Sequence, residues 1–203
     1  MTRRDSLLAA LDRLFAGPRD SVLTVQEFLH GLEPRSYAFM IAALDLPNCI
    51  PTGIPLLSTF TGVPMLLLAA QGYLGRSAPS LPRFIGAHAL PRGKLQDFLL
   101  HARRHVERLE RAVHPRRKWW VQGMRLRLLE GACSILIAIL ALPIPFDNLL
   151  PAWAILFFCL ALMESDGAMA LLGWLFTLVT AVWTALIAVV GPYLVFELVE
   201  GVF

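Results

Sequence analysis

Positive charge is absent from the carboxyl-terminal part of this sequence. All 18 lysine and arginine residues lie between Arg3 and Arg127, and none occurs after Arg127. Acidic side chains at membrane depth are costly and usually pair with another group. Because no cation follows them locally, the acids of this part need a partner from the amino-terminal half, a proton, a bound cation or water at a membrane edge. These acids are Glu130, Asp147, Glu164, Asp166, Glu197 and Glu200.

Charge of either sign is scarce. Charged residues make up 16% of the chain, whereas soluble domains usually contain about 25%. Hydrophobic residues make up 57%, the mean hydropathy is +0.62, and the stretch from Ala168 to Val190 has no charged residue. A helix of that length crosses roughly 30 Å of hydrocarbon. The composition therefore predicts an all-α integral membrane protein in a lipid bilayer, and a very apolar soluble α-protein is the alternative.

Several motifs that would indicate other classes of protein are missing. Cys49, Cys133 and Cys159 are widely spaced and odd in number, which argues against a disulfide framework and a metal knuckle. The sequence has no nucleophile elbow, phosphate-binding loop or set of metal ligands. The run MTRRDSLLAALDRLF reads as an amphipathic helix and not as a secretory signal. We therefore expect a protein that is not an enzyme and that uses no metal and no cofactor.

The chain divides by composition into four segments of a single membrane domain. Residues 1–35 form an amphipathic amino-terminal segment, in which TVQEFLHG has the spacing of a helix capping box. Residues 36–75 form a first apolar block, and residues 76–127 form a basic amphipathic connector. Residues 128–203 contain a second apolar block followed by a carboxyl-terminal transmembrane helix.

The connector contains a basic amphipathic helix. Its apolar residues recur at helical spacing from Leu95 to Val113, and four arginines lie largely off that stripe. Such a helix suits the anionic cytoplasmic surface of a membrane, with Trp119 and Trp120 as interfacial anchors. An ordinary surface helix packed on the rest of the protein fits equally well. No nucleic-acid-binding motif accompanies the basic residues, so we expect no nucleic-acid partner.

Two proline-rich breaks interrupt the apolar blocks in the same way. IAALDLPNCIPTGIP at residues 41–55 aligns with IAILALPIPFDNLLP at residues 137–151, at an offset of 96 residues. Proline breaks a helix because it lacks a backbone donor and clashes with the preceding turn. The pattern predicts two internal repeats with proline-broken or re-entrant helical hairpins, accompanied by amphipathic interfacial helices. Ordinary turns at the membrane surface are the alternative.

Polar residues within or near both breaks define a candidate site for substrate binding or coupling. Paired broken helices are the best sequence pointer to a transporter's substrate site, and irregular backbone at membrane depth is tolerated where it lines a cavity. Arg35 and Arg76 could serve as counter-charges that close the site. For the two acids before Ala168, capping of the following helix is the alternative role. The predicted site residues are Asp45, Asn48, Thr52, Asp147, Asn148, Glu164 and Asp166.

The whole pattern resembles the ExoD family, and the resemblance covers nearly the full chain from about Gly31. It implies a small bacterial inner-membrane protein of internally repeated design with a link to exopolysaccharide synthesis, and it supplies no catalytic residues. The resemblance is carried by the Pro47–Pro55 break with Ser58, Gly62 and Pro64, and by QGYLGRSAPSLP (71–82), LERAVHPR (109–116), LALPIPFDNLLPA (140–152) and ESDG (164–167).

Two functions stay open on this information. The first is a small secondary transporter, a multi-pass homodimer, whose surplus of acids favours a small cationic solute such as a basic amino acid, or proton coupling. The second is a non-transporting factor that binds a polysaccharide-assembly enzyme or a lipid-linked intermediate through the basic connector. The positive-inside rule places the amino terminus and residues 76–127 in the cytoplasm. It does not decide whether the repeats are inverted or parallel.

Overall fold

The computed structural model describes residues 7–32, 35–50, 57–75, 79–80, 87, 89–113, 118–142 and 148–200. Most of these residues are helical, which confirms the all-α prediction. The helices are α1 (Leu7–Phe15), α2 (Val25–Gly31), α3 (Ser36–Asp45), α4 (Leu57–Tyr73), α5 (Arg92–Ala112), α6 (Gly123–Ala141), α7 (Leu149–Glu164) and α8 (Gly167–Glu200). The other elements are the strands β1 (Val22–Thr24) and β2 (Ala89–Pro91) and the 3₁₀ turns Leu46–Cys49 and Lys118–Val121.

Helix α2 begins at the predicted capping box. Oγ1 of Thr24 accepts a hydrogen bond from the backbone N–H of Glu27 at 3.2 Å, and Oε2 of Glu27 accepts one from the N–H of Thr24 at 2.9 Å. Hydrogen bonds to its carboxylate from the backbone and the side chain of Thr24 lower the pKa of Glu27. Reciprocal bonds of this kind satisfy donors that the first turn of a helix leaves free. A local sequence pattern is therefore enough to start this helix.

The first part of the connector packs back on the amino-terminal segment. Strand β1 pairs antiparallel with β2, and Val22 lies opposite Pro91. Nη1 of Arg92 donates hydrogen bonds to the carbonyl oxygens of Leu14 and Ala16 at 2.9 and 2.7 Å. The sheet was not predicted, because its strands are short and far apart in the sequence. Of the two interpretations of the connector helix, the structure favours a surface helix packed on the protein, since α5 lies against α1.

Two antiparallel helical hairpins form the centre of the fold. In the first hairpin, α3 leads into the turn Leu46–Cys49 and α4 returns beside α3, so that Gly72 faces the ring of Tyr37. In the second hairpin, α6 and α7 lie together on the two sides of the second proline-rich break. The hairpins pack α3 against α7 and α4 against α6. The internal repeat and any re-entry into a membrane stay predictions.

One helix has the length and composition of a membrane span. The first 23 residues of α8, Gly167–Val189, have a mean hydropathy of 2.0, and 11% of this apolar stretch is buried. Trp174 packs on Phe158 of α7 with 5.5 Å between ring centroids, whereas Leu175 and Leu178 are exposed. No other helix within the described ranges meets the same criteria, and the apolar helix α7 has only 16 residues. Membrane association therefore rests on α8, and a multi-pass integral topology stays a prediction.

A continuous apolar core connects the amino-terminal segment to the hairpins. Phe28 of α2 stacks on Phe15 of α1 at 5.8 Å and meets the edge of Phe39 of α3 at 5.6 Å between ring centroids. Ile137 of α6 and Ile155 of α7 are completely buried in the same cluster. This packing fixes the position of α3, which carries polar groups at both of its ends.

Candidate functional site

The first buried polar cluster lies where α3 begins and α7 ends. Nη1 of Arg35 is 3.4 Å from Oε1 of Glu164, and these two side chains are only 8% and 13% exposed to solvent. A buried pair of this kind is costly to break, because the remaining charge stays desolvated. Ser36, next to Arg35, is fully buried, and its hydroxyl has no hydrogen-bond partner among the described residues. We call Arg35, Ser36 and Glu164 the ion-pair cluster.

Asp166 caps helix α8. Its Oδ1 accepts a hydrogen bond from the N–H of Ala168 at 2.8 Å, and its carbonyl oxygen accepts one from the N–H of Ala170 at 3.2 Å. Ser165 has a left-handed φ of 53°, which ends α7 and redirects the chain into α8. A carboxylate at a helix N-terminus is stabilised by free backbone donors and by the helix dipole. Asp166 thus occupies the capping position that the sequence offered as an alternative.

The second polar cluster lies at the other end of α3. Asp45 is fully buried, its Oδ2 accepts a hydrogen bond from Sγ of Cys49 at 3.9 Å, and its Oδ1 has no partner among the described residues. Nδ2 of Asn48 donates to Oγ1 of Thr61 at 2.9 Å. Burial raises the pKa of Asp45, and hydrogen bonds from Asn48 and Cys49 oppose this rise only in part. We call Asp45, Asn48, Cys49 and Thr61 the Asp45 cluster.

The three cysteines, which are far apart in the sequence, come together near Asp45. All three are buried and free. The neighbouring thiol of Cys133 and burial raise the pKa of Cys159, and Asp45 and Cys49 add to this rise. Thiols with raised pKa values are poor nucleophiles. In the described part of the chain, no three His, Cys, Asp or Glu side chains are grouped so that they could hold a metal ion.

An apolar cavity of about 290 Å³ lies beside the part of α3 that separates the two clusters. Tyr37, Ala38 and Ile41 of α3 form one wall, and α4, α6 and α7 form the others. Cys159 of α7 and Ser165, the residue that follows α7, line the same space. The cavity therefore adjoins both polar clusters without being lined by Arg35 or Asp45.

The structure divides the predicted site residues between separate places. Asp45 and Asn48 belong to the Asp45 cluster, whereas Glu164 and Asp166 lie near the start of α3. The two places are separated by the ten residues of α3, which is about 15 Å at the rise of an α-helix. The described residues therefore form two polar clusters rather than one shared site.

Of the two site residues predicted in the second proline-rich break, the structure describes Asn148. Asn148 immediately precedes α7, and its Oδ1 is buried with no hydrogen-bond partner among the described residues. The turn Leu46–Cys49 of the first break packs on α7, the helix that Asn148 begins. Thr52, Asp147 and Arg76 lie outside the described residues.

Sequence reasoning named Arg35 as a counter-charge but missed three polar partners. Cys49 follows Asp45 by four residues, and this spacing places two side chains on the same face of a helix. That spacing was the available signal for Cys49. Thr61 and Ser36 could not be found in this way, because their roles depend on which helices pack together.

These features define a class of helical proteins with buried polar clusters and one candidate membrane span among the described helices, and comparison with known proteins identifies the family. The sequence model of the family described as "Exopolysaccharide synthesis, ExoD" matches residues 7–186. The chain is similar to Protein ExoD of Rhizobium meliloti, with 30% identity over 186 residues, which cover 90% of this chain and 77% of that protein. It is also similar to an uncharacterized protein of Synechocystis sp., with 28% identity over 172 residues, which cover 84% of this chain and 81% of that protein. The chain therefore belongs to the ExoD family. No solved structure matches it.

Proposed function

We propose that this protein is a membrane-associated factor that supports exopolysaccharide synthesis and does not carry a solute across the membrane. Membership of the ExoD family supports the link to exopolysaccharide synthesis. The exposed apolar face of α8 supports attachment to the bacterial inner membrane. One observation carries the proposal. The acidic side chains that a transporter would offer to its substrate are bound to groups within this protein.

Three of the predicted substrate or coupling acids have internal partners. Glu164 pairs with Arg35, and Asp166 caps α8. Asp45 is enclosed with Cys49, and burial raises its pKa, so that it carries little charge at neutral pH. Acids arranged in this way stabilise the fold and offer little negative charge to a solute.

The cationic-solute transporter has no support in these findings. A transport path requires several helices that cross the membrane and enclose it, whereas α8 is the one described helix that meets the requirements for a span. The family comparison likewise refers to exopolysaccharide synthesis and not to a solute. The non-transporting factor therefore fits better than the transporter.

The surface of α5 supplies a docking site in this proposal. Phe98 and Leu100 are 68% and 64% exposed, and Arg104 and Arg108 are exposed further along the same helix. Arg103, in contrast, forms ion pairs within the protein. Leu100 lies one turn before Arg104, and an exposed apolar side chain beside arginines that have no ion pair among the described residues suits a partner with an acidic surface. We propose an enzyme of polysaccharide assembly as that partner, and the phosphate of a lipid-linked intermediate is the alternative.

Deletion and complementation in the native bacterium test the function. Deletion of the gene should lower the exopolysaccharide released per cell, and expression of the parent protein should restore it. The double variant Arg104→Glu/Arg108→Glu should restore much less, because it reverses the charge of the docking surface. Arg104→Lys/Arg108→Lys is the matched control, since lysine keeps the charge, and immunoblots of the membrane fraction verify equal amounts of each variant.

A transport assay separates this proposal from its rival. Purified protein in proteoliposomes should show no uptake of a radiolabelled basic amino acid above that of empty vesicles. Uptake that disappears in Glu164→Gln would contradict the proposal, as would a deletion strain with normal exopolysaccharide.

Two further expectations remain part of the proposal. A homodimer would extend the surface that faces the membrane, and light scattering of the purified protein measures its oligomeric state. A multi-pass topology would expose the described loops on both sides of the membrane, and labelling of single introduced cysteines in intact cells tests this expectation.

A further inference from the structure

The cavity beside α3 has the chemistry of a small amphipathic binding site. Its walls are mainly apolar and include Ile41, Leu68 and Leu162. Two tyrosines, Tyr37 and Tyr73, bring aromatic faces and hydroxyl groups to it. Small-molecule sites are typically apolar concave spaces with a few polar groups that fix the orientation of the ligand.

Among the described residues that line this cavity, Glu130 supplies the one carboxylate, and there is no lysine, arginine or histidine. Arg127, one turn earlier on α6, acts electrostatically on Glu130 but lines a different cavity between α6 and α8. Burial raises the pKa of Glu130, and Arg127 opposes this rise only in part. The carboxylate is therefore short of a compensating cation on the side of the cavity.

We propose that this cavity binds an amphipathic primary amine, with the alkyl chain against the apolar walls and the ammonium group hydrogen-bonded to Glu130. An ammonium head satisfies the half-buried carboxylate with a charge-assisted hydrogen bond, which an alcohol does less well and a carboxylate cannot do. Tyr37 and Tyr73 add aromatic rings that attract a cation near their faces. This site is independent of the proposed docking surface on α5.

Photochemical labelling of the full-length protein in nanodiscs of anionic lipid tests the site. The probe is decylamine with a diazirine at the far end of its chain, and labelled residues are located by mass spectrometry. The cavity residues of α3, α4 and α6 should be labelled. The outer face of α8, at Leu175 and Leu178, provides an internal reference for probe that merely partitions into the bilayer.

Competition identifies the head group. Unlabelled decylamine should suppress labelling of the cavity at concentrations about tenfold or more below those of decanol and decanoate, as expected for a charge-assisted hydrogen bond. In Glu130→Gln, the preference for the amine over decanol should disappear while the labelling of α8 is unchanged. Glu107→Gln on α5, outside the cavity, should behave as the parent protein does.

A second variant fills the space without changing its charge. Ala69→Phe places a ring in the cavity, so it should abolish cavity labelling and leave labelling of α8 intact, with circular dichroism confirming the fold.

Repetition of the labelling in nanodiscs that contain phosphatidylethanolamine shows the source of the amine. Protection of the cavity indicates an aminophospholipid, and unchanged labelling indicates a free amine. Labelling confined to α8 in the parent protein, or equal competition by decanoate and decylamine, would overturn the proposal.

Discussion

The contact between α3 and α7 differs from the contact between α4 and α6, although the two hairpins place them in corresponding positions. At an offset of 96 residues, Gly62 and Ala141 correspond to Phe158 and Asp45. Between α4 and α6, a Cβ atom added to Gly62 would lie 2.8 Å from Cβ of Ala141, so the two backbones are already in close contact. Between α3 and α7, Asp45 lies near enough to Cys159, the residue after Phe158, to raise the pKa of its thiol.

The comparison shows that one helix arrangement is stabilised in two ways. The α4–α6 contact depends on small volume, because neighbouring backbones exclude larger side chains there. The α3–α7 contact depends on an ion pair at one end and on a buried acid at the other. An exchange of equivalent contacts between the hairpins is what an internal repeat would produce, and the repeat itself stays a prediction. Substitutions should therefore act through charge at one interface and through volume at the other.

The largest effect should come from breaking the ion pair between α3 and α7. Arg35→Met leaves Glu164 buried without its cation, and loss of one member of a buried pair typically costs 3–5 kcal/mol. We expect the free energy of unfolding to fall by about this amount, measured by denaturant titration in detergent micelles. The same loss should appear in Glu164→Leu, which strands Arg35.

The double variant Arg35→Met/Glu164→Leu distinguishes a charge effect from a packing effect. Replacement of both partners by apolar side chains is often neutral or stabilising. The double variant should therefore recover most of the stability lost in each single variant. Additive losses in the double variant would show that the pair contributes through packing and would weaken the comparison between the interfaces.

The next largest effect concerns the small-residue contact. Gly62→Ala forces a methyl group against Ala141, and such overpacking typically costs about 1–3 kcal/mol, partly offset by about 1 kcal/mol of helix propensity. Gly72→Ala in the same helix is the matched control, because its added Cβ would lie 3.4 Å from the ring of Tyr37, an ordinary contact. We expect a net loss of stability at Gly62 and none at Gly72. Equal thermal unfolding of both variants would contradict a volume-limited interface.

The elements that could be predicted from sequence are those set by local chemistry. The capping box at Thr24 and Glu27 formed as its spacing predicts. Helices α3 and α6 end at the proline-rich breaks, where proline removes a backbone donor and clashes with the preceding turn. A lone proline is not enough to end a helix here, because Pro64 lies inside α4. The long uncharged segment forms most of α8, as predicted, because its length and apolar composition alone favour a continuous helix.

The features that could not be predicted depend on which helices pack together. Asp45 and Glu164 look alike in the sequence, because both are acids beside apolar runs. In the structure, however, Glu164 is paired with Arg35, whereas Asp45 is enclosed with the thiol of Cys49. The pairing of β1 with β2 joins residues that are distant along the chain. The cavity lined by Glu130 needs four helices in place before it exists. A single sequence contains no record of these contacts.

A smaller effect is expected at the cap of α8. Asp166→Ala removes the side chain that accepts a hydrogen bond from the N–H of Ala168, and loss of such a cap typically costs about 1 kcal/mol. Asp166→Asn should retain most of the stability, because asparagine caps a helix equally well. Both variants should support exopolysaccharide production if Asp166 only caps the helix. A fully stable Asp166→Asn that abolishes production would instead assign the carboxylate a direct role.

The smallest effect at low pH, and the one that grows as the pH rises, should come from Asp45→Asn. Burial raises the pKa of Asp45 in the folded protein, so the folded state keeps this proton at pH values where the unfolded chain, with an ordinary value of about 4, has lost it. The unfolded state then binds fewer protons, and stability falls as pH rises above about 4 until the raised pKa is reached. Asparagine has a similar shape and cannot ionise, so the variant should lie within about 1 kcal/mol of the parent at low pH and gain on it as pH increases. Unfolding midpoints of the parent and the variant at a series of pH values measure this trend. A difference between Asp45→Asn and the parent that does not change with pH would show that Asp45 ionises normally, and it would remove the contrast between a charged and a protonated end of α3.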